Sequence, residues 1–340
     1  MDFITHIALG ATSGELILGK KLGKRAMILG AAANSLPDID VIATLWLSPD
    51  DNLLAHRGFT HSILFMLLVT LLFSRVVILL DRQKTISHYT WFWFFLLQLG
   101  LHLFVDGFNA YGIGWFIPFN DARFSFHTLF VVDPFYSLIL VVTFILLIVH
   151  PTQNRHRIKL ATLGLLISCL YLGYSLINKY VVNNELKNIL RKQNISYNRY
   201  FTTPTPLNTW LWFAVAEVDS GYYVGYRSVF DKTEEMPFTF IKRNEHLLVG
   251  WENDHSLQQL KKFSQGYYTV ELQSDTLVFN DLRFGQITGW NNANARFSFH
   301  YYLNYPKENL LVMQRGRFAN WNKQTLESLT ARIRGCKQNE

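Results

Sequence analysis

Cysteine is nearly absent: Cys169 and Cys336 are the only two in 340 residues. One lies inside an apolar run and the other near the end, so neither a disulfide framework nor a Cys-rich zinc site is expected. A dense basic stripe is missing as well. The net charge of +7 divides into +3 over residues 1–180 and +4 over the remainder, without a concentrated patch. Nucleic-acid binding is therefore not expected. The opening MDFITH has no basic stretch, which argues against a cleaved signal peptide. No G-x-S-x-G elbow occurs, and Ser35 and Ser62 sit in motifs better explained as helix ends than as nucleophiles.

Long apolar runs are plentiful, and most of them lie in residues 1–180 together with 8 of the 11 histidines. Segments at 3–19, 26–47, 62–80, 91–107, 134–150 and 160–178 have the composition of membrane helices. The expected fold is an α-helical membrane domain of five to six spans over residues 1–180, followed by a small α+β soluble domain over residues 181–340. Basic clusters at Lys20 to Arg25, at Arg82 and Lys84, and from Arg155 to Lys159 alternate with the other loops. Placing them in the cytoplasm puts the remaining loops and the C-terminal domain outside it. Glu15 reads as a residue snorkelling to the boundary, and Thr60 as the N-cap of the helix that His61 opens. The aromatic loop at 107–133 suits the headgroup interface.

Ionisable groups in such surroundings need a reason, because an unpaired buried charge costs several kcal/mol. Asp38 and Asp40 follow Pro37 in NSLPDID. His56 and His61 flank Arg57 in HRGFTHS. His102 and Asp106 are four apart, a spacing that puts both on one helix face. His6 lies in the first apolar segment. Imidazole nitrogen and carboxylate oxygen are ligands for zinc and related divalent ions, so His6, Asp38, Asp40, His56, His61, His102 and Asp106 form one candidate metal-binding set. Asp38 and Asp40 stand two residues apart and can face one cavity only if the backbone departs from α-helix near Pro37. Arg57 could hold an anionic group such as phosphate, and Asn34 could orient a ligand or cap the break.

The order THIALG, NSLPDID, HRGFTHS, HLFVD, separated by apolar helices, resembles the bacterial inner-membrane-associated metal-dependent hydrolases (YdjM-like) over about residues 1–110. The H-x3-D of His102 and Asp106 is also similar to the spacing of zinc-dependent phospholipases C. The resemblance implies a membrane-bound hydrolase with a divalent metal, its polar positions falling on the seven residues above. Asp38, Asp40 and Arg57 would then have catalytic roles, in activating water or holding an anionic substrate. A phosphoester or other ester, including a lipid-linked one, is the expected substrate class, with the bilayer as partner. A non-enzymatic transporter or scaffold with the same residues as an ion site is the alternative, and the lack of an inverted repeat counts against a transporter.

From about Asn183 the chain turns soluble in character. TTPTPLN reads as a turn or linker, and strands are expected at LWFAVAEVD, YYVGYRSVF, FTFIKRN, YYTVELQ, TLVFNDLRFG, FSFHYYLNY and NLLVMQ. Helices are expected at 253–265 and 320–334. His246, His255 and His300 read as surface or strand residues.

Overall fold

The computed structural model describes residues 1–80, 86–154, 156–233, 235–304, 318 and 321–335. The NLLVMQ segment, Arg82, Lys84, Arg155 and Cys336 lie outside them. Two compact units result. The first comprises Met1–Leu45, Ala55–Phe126 and Val131–Tyr174, and the second Trp46–Leu54, His127–Phe130 and Ser175–Glu340.

In the first unit α1 (Phe3–Leu22) packs on α2 (Lys24–Asn34), on α5 (His88–Asp106) and on α6 (Pro134–Val149). Small residues permit the closest of these contacts. A Cβ on Gly10 or Gly30 would collide with the carbonyl oxygen of the other, so the α1 and α2 backbones meet directly. The chain then bends by 49° into a 3₁₀ helix, Leu36–Leu45. Pro37 explains the break: it supplies no backbone donor and disfavours helix at Leu36, while its fixed φ suits the start of a new helix. A second short 3₁₀ turn, Phe59–His61, precedes α4 (Ile63–Leu80), which lies along α5. The cap of α4 is Ser62, whose Oγ accepts from the Phe65 N–H at 3.0 Å. Thr60 is not the cap, because its hydroxyl is held by Asp40.

Among the described residues, α4 and the 37-residue α7 (His156–Lys192) are long and apolar enough to cross a membrane, and the bent pair of α2 with the following 3₁₀ helix makes a third candidate. The expected five to six spans are not reached on length and composition. Helices α1 and α5 bury polar residues such as Thr12, Ser13, Glu15, Gln98 and His102, and α6 has only 16 residues. Glu15 does not snorkel. It is buried and forms a two-pronged ion pair with buried Arg157, at 2.8 and 2.7 Å. Arg157 also donates to the His150 and Leu147 carbonyls at the end of α6.

Helix α7 runs without interruption past residue 180 into the second unit. There Leu186, Ile189 and Leu190 pack on Ala214 and Ala216. Those alanines alternate along one strand with Leu211, Phe213 and Val215, which face the opposite core, as the two-residue strand period requires. The strands β1 (Arg199–Pro204), β2 (Leu211–Val218), β3 (Gly221–Ser228) and β4 (Thr239–Lys242) form an antiparallel sheet in that order. A second sheet has the order β5 (Tyr268–Gln273), β6 (Thr276–Gln286), β7 (Phe297–Tyr302). Strand β1 replaces part of the expected linker. Its register pairs Thr202 with Ala214 and Pro204 with Trp212, and Pro204 is tolerated because β1 is an edge strand. Two further helices, α8 (His255–Phe263) and α9 (Lys323–Ile333), match the expected ones.

Candidate metal centre

Four elements of the first unit converge on His61. The 3₁₀ helix after Pro37 brings Asp38 and Asp40, the turn Phe59–His61 brings the imidazole, and the end of α5 brings His102 and Asp106. Helix α1 brings His6. All but Asp38 and His56 have fully or almost fully buried side chains.

The two aspartates approach the two nitrogens of the same ring. Asp38 Oδ1 lies 3.4 Å from His61 Nε2, and Asp40 Oδ2 lies 3.2 Å from His61 Nδ1. On the Nε2 side, His102 Nε2 stands 3.1 Å from His61 Nε2, and Asp106 Oδ2 stands 3.6 Å from His61 Nε2 and 3.8 Å from His102 Nε2. Asp38 Oδ1 is 3.6 Å from His102 Nε2. These four donor atoms, from Asp38, His61, His102 and Asp106, all lie within 4.8 Å of one another. Ligands about 2.0–2.2 Å from a tetrahedral zinc stand roughly 3.3–3.6 Å apart. Five of the six edges are 3.1–3.8 Å, which brackets that figure, and the sixth, between Asp38 and Asp106, is within 4.8 Å.

The donor chemistry fits too. Two imidazole nitrogens facing each other at 3.1 Å have no need of one another if both lone pairs serve a cation. Asp106 Oδ2 is buried and accepts no well-aligned hydrogen bond, although Arg57 Nε lies 2.9 Å away. The His and Asp groups could hold a metal ion.

The remaining residues of the expected set surround this group without entering it. Asp40 is fully occupied: beyond His61 it meets His56 Nδ1 at 3.0 Å and accepts from the Arg57 N–H at 2.9 Å and the Thr60 hydroxyl at 3.1 Å. It therefore sets the orientation of the His61 ring, the arrangement by which outer carboxylates position metal-binding histidines. His56 lies on the far side of Asp40, about a third exposed (34%). His6 Nε2 is 3.1 Å from Asp106 Oδ1, and its ring stacks on His102 with centroids 3.8 Å apart. The Met1 amino group also meets Asp106 Oδ1.

Arg57 does not stand open to solvent as a phosphate clamp would. Its guanidinium is buried against Asp106, donates to Asn109 Oδ1 at 2.5 Å and lies over the Tyr111 ring at 5.1 Å. A φ of 57° at this non-glycine residue lets its N–H reach Asp40 while its side chain turns to Asp106. Asn34 donates to the Gln98 carbonyl at 2.7 Å, joining α2 to α5 rather than touching a ligand. The sequence singles out Thr60 only as a helix cap, and Asn109 not at all. The signal for Asn109 is that a buried guanidinium with five donors needs an acceptor beyond one carboxylate.

Residues 1–182 match a family model described as YdjM inner membrane protein. The chain belongs to that family. Among similar proteins, YfhP of Bacillus subtilis is 32% identical over 145 residues, which is 40% of this chain and 42% of YfhP. The inner membrane protein YbcI of Escherichia coli is 32% identical over 124 residues, 36% of this chain and 69% of YbcI. The chain thus aligns with less than half of the Bacillus relative. No solved structure matches. The Asp38, His61, His102 and Asp106 group lies wholly inside the YdjM match, and the two sheets lie outside it.

A smaller group in the second unit joins His255 Nε2 to Asp51 Oδ1 at 2.7 Å, with Gln259 Nε2 at 3.1 Å from the same oxygen. The hydrogen bond to Asp51 raises the His255 pKa above its ordinary 6.5, and the same contact lowers that of Asp51 below 3.8. Any stabilisation through His255 is complete below about pH 6.5 and fades as pH rises through the raised value; that through Asp51 is complete above about pH 3.8 and fades as pH falls through the lowered one. Both groups are solvent-exposed, so the pair is weak and screened by salt. An NMR titration should find the His255 midpoint above 6.5 in the natural chain and lower in Asp51→Asn than in the natural chain. Equal midpoints would refute the contact.

Proposed function

We propose that this protein is a metal-dependent hydrolase of the inner membrane, acting on phosphoester or other ester bonds, with zinc held by Asp38, His61, His102 and Asp106. The observation that carries this reading is the close grouping of those four buried or half-buried donor atoms, all within 4.8 Å of one another. A divalent metal there supplies Lewis acidity, enough to make water a nucleophile near neutral pH and to polarise a phosphoryl or carbonyl oxygen.

The chain's own residues complete the arrangement. Asp40 and Thr60 hold His61 with Nε2 turned inward. His6 and Arg57 fix Asp106 from its other side and balance its charge. Asp40 has no unoccupied oxygen, so its contribution is to hold His61 and His56 rather than to take a proton from water. The proposal includes a multi-pass topology with the site and the C-terminal domain extracytoplasmic, and no nucleic-acid partner.

The test is metal analysis of purified full-length protein, then a panel of phosphoesters, carboxylic esters and lipids with and without chelator. About one zinc per chain with hydrolysis lost on chelation is expected. Bound metal with no turnover on any substrate would favour the non-enzymatic ion-site reading, and absence of metal would overturn both.

A further inference from the structure

The metal group is closed on most sides. His61, His102 and Asp106 have fully buried side chains, whereas Asp38 is 17% exposed. Access to the four donors therefore lies on the Asp38 side, along the 3₁₀ helix Leu36–Leu45. That helix turns only its two aspartates inward as charged residues. Its outward side chains, Ile39, Val41, Ile42 and Leu45, are all exposed. With α2 it makes up the bent candidate span, so in a membrane this apolar row faces acyl chains.

Beyond Asp40 the surroundings are polar. His56 is partly exposed, Tyr111 meets it edge-on with centroids 6.3 Å apart, and Arg123 Nη2 donates to the His56 and Gly112 carbonyls at 2.9 and 3.2 Å. Asp38, Asp40 and Asp106 carry three negative charges, Arg57 and the Met1 amino group beside Asp106 two positive, and a divalent ion would add two more, which leaves the centre suited to an anion. A substrate that matches both the apolar row and this centre is amphiphilic, with an anionic head and an apolar tail.

Resting on the metal reading above, we propose that the centre receives its ligand sideways from the bilayer: an anionic phosphate-bearing lipid whose head reaches the Asp38 side of the metal group while its chains lie against Ile39, Val41 and Ile42. A water-soluble phosphate would share the head chemistry but gain nothing from the apolar row. A lipid retained only by ordinary annular contact would gain nothing from the metal.

Those differences define the experiment. Full-length zinc-loaded protein in nanodiscs carries a photoreactive phenylalanine analogue in place of Val41, or in place of Leu72 on the exposed face of α4 as control. The probe is a long-chain lipid phosphonate, which cannot be hydrolysed. Crosslinking at position 41 should fall by about ten-fold on zinc removal or with Asp38→Asn, as expected when a ligand's anchoring charge contact is lost, while crosslinking at position 72 stays constant. Methylphosphonate should compete only at far higher concentration, since it lacks the chains that contribute affinity through burial.

Equal, zinc-insensitive crosslinking at both positions would overturn the proposal, as would competition by methylphosphonate at the same concentration as the lipid. Should position 41 tolerate no analogue, Ile39 offers a second placement on the same row. Loss of the hydrolase reading is separately visible: zinc-dependent crosslinking without turnover of the natural ester would leave a lipid-binding metal site that does not hydrolyse.

Discussion

A His61→Ala protein is expected to lose zinc affinity by more than about 100-fold, and Asp38→Asn to do the same, while Asp40→Asn should lose only about 10–100-fold. The ordering follows from the geometry. His61 Nε2 and Asp38 Oδ1 are two corners of the donor group, 3.4 Å apart. Asp40 touches the opposite nitrogen of the same ring, so its removal loosens His61 without removing a ligand. Asp106→Ala is a less informative variant, because it would also leave Arg57 buried beside no carboxylate. Zinc titrations of the three variants against the natural protein, with helicity measured in parallel, decide the matter. Full zinc occupancy in His61→Ala, or an Asp40→Asn loss larger than that of Asp38→Asn, would refute the assignment of Asp38 and His61 as ligands and Asp40 as their support.

The second large effect concerns stability. Glu15→Gln should cost about 3–5 kcal/mol, because it leaves the Arg157 guanidinium buried without its counter-charge. Both side chains are almost wholly buried, and the pair ties α1 to the start of α7. Arg157 also satisfies carbonyls at the end of α6, so its displacement would unsettle three helices at once. The double variant Glu15→Gln with Arg157→Leu should recover much of the loss, since removing both charges relieves the desolvation penalty that a lone charge retains. Unfolding in mixed micelles measures both. A Glu15→Gln cost below about 1 kcal/mol would mean that water reaches the pair.

Some of this was legible in the residues. The apolar runs, the break at Pro37, the one-face spacing of His102 and Asp106, and most strands of the second unit follow from periodicity and from the backbone limits of proline. The fate of Glu15 is not local, because a carboxylate in an apolar helix has two outcomes, reaching water or meeting a cation, and the cation here is 142 positions away. The end of the strand Arg199–Pro204 falls in TTPTPLN, where two prolines signal a turn or linker. Its pairing with β2 along an edge, where Pro204 needs no donor, is a long-range fact. Arg57 looked available for a ligand because its neighbours in sequence are histidines, whereas its partner Asp106 lies 49 positions further on.

By itself the sequence determined the inventory: which half of the chain is apolar, which ionisable residues lie within it, and that such residues cannot remain there unpaired. Residue type and local spacing suffice for that, because burial cost and helix periodicity are local properties. Only the tertiary structure decided the division of labour among seven similar side chains. Asp38 and Asp40 are two residues apart and chemically identical, yet one approaches His61 Nε2 and His102 Nε2 and the other holds the far nitrogen of His61. That difference arises from the 3₁₀ path after Pro37 and from the packing of its helix against α5 and the turn at Phe59–His61. Contacts that join residues 16 to 100 positions apart depend on how helices pack, and no local pattern carries that information.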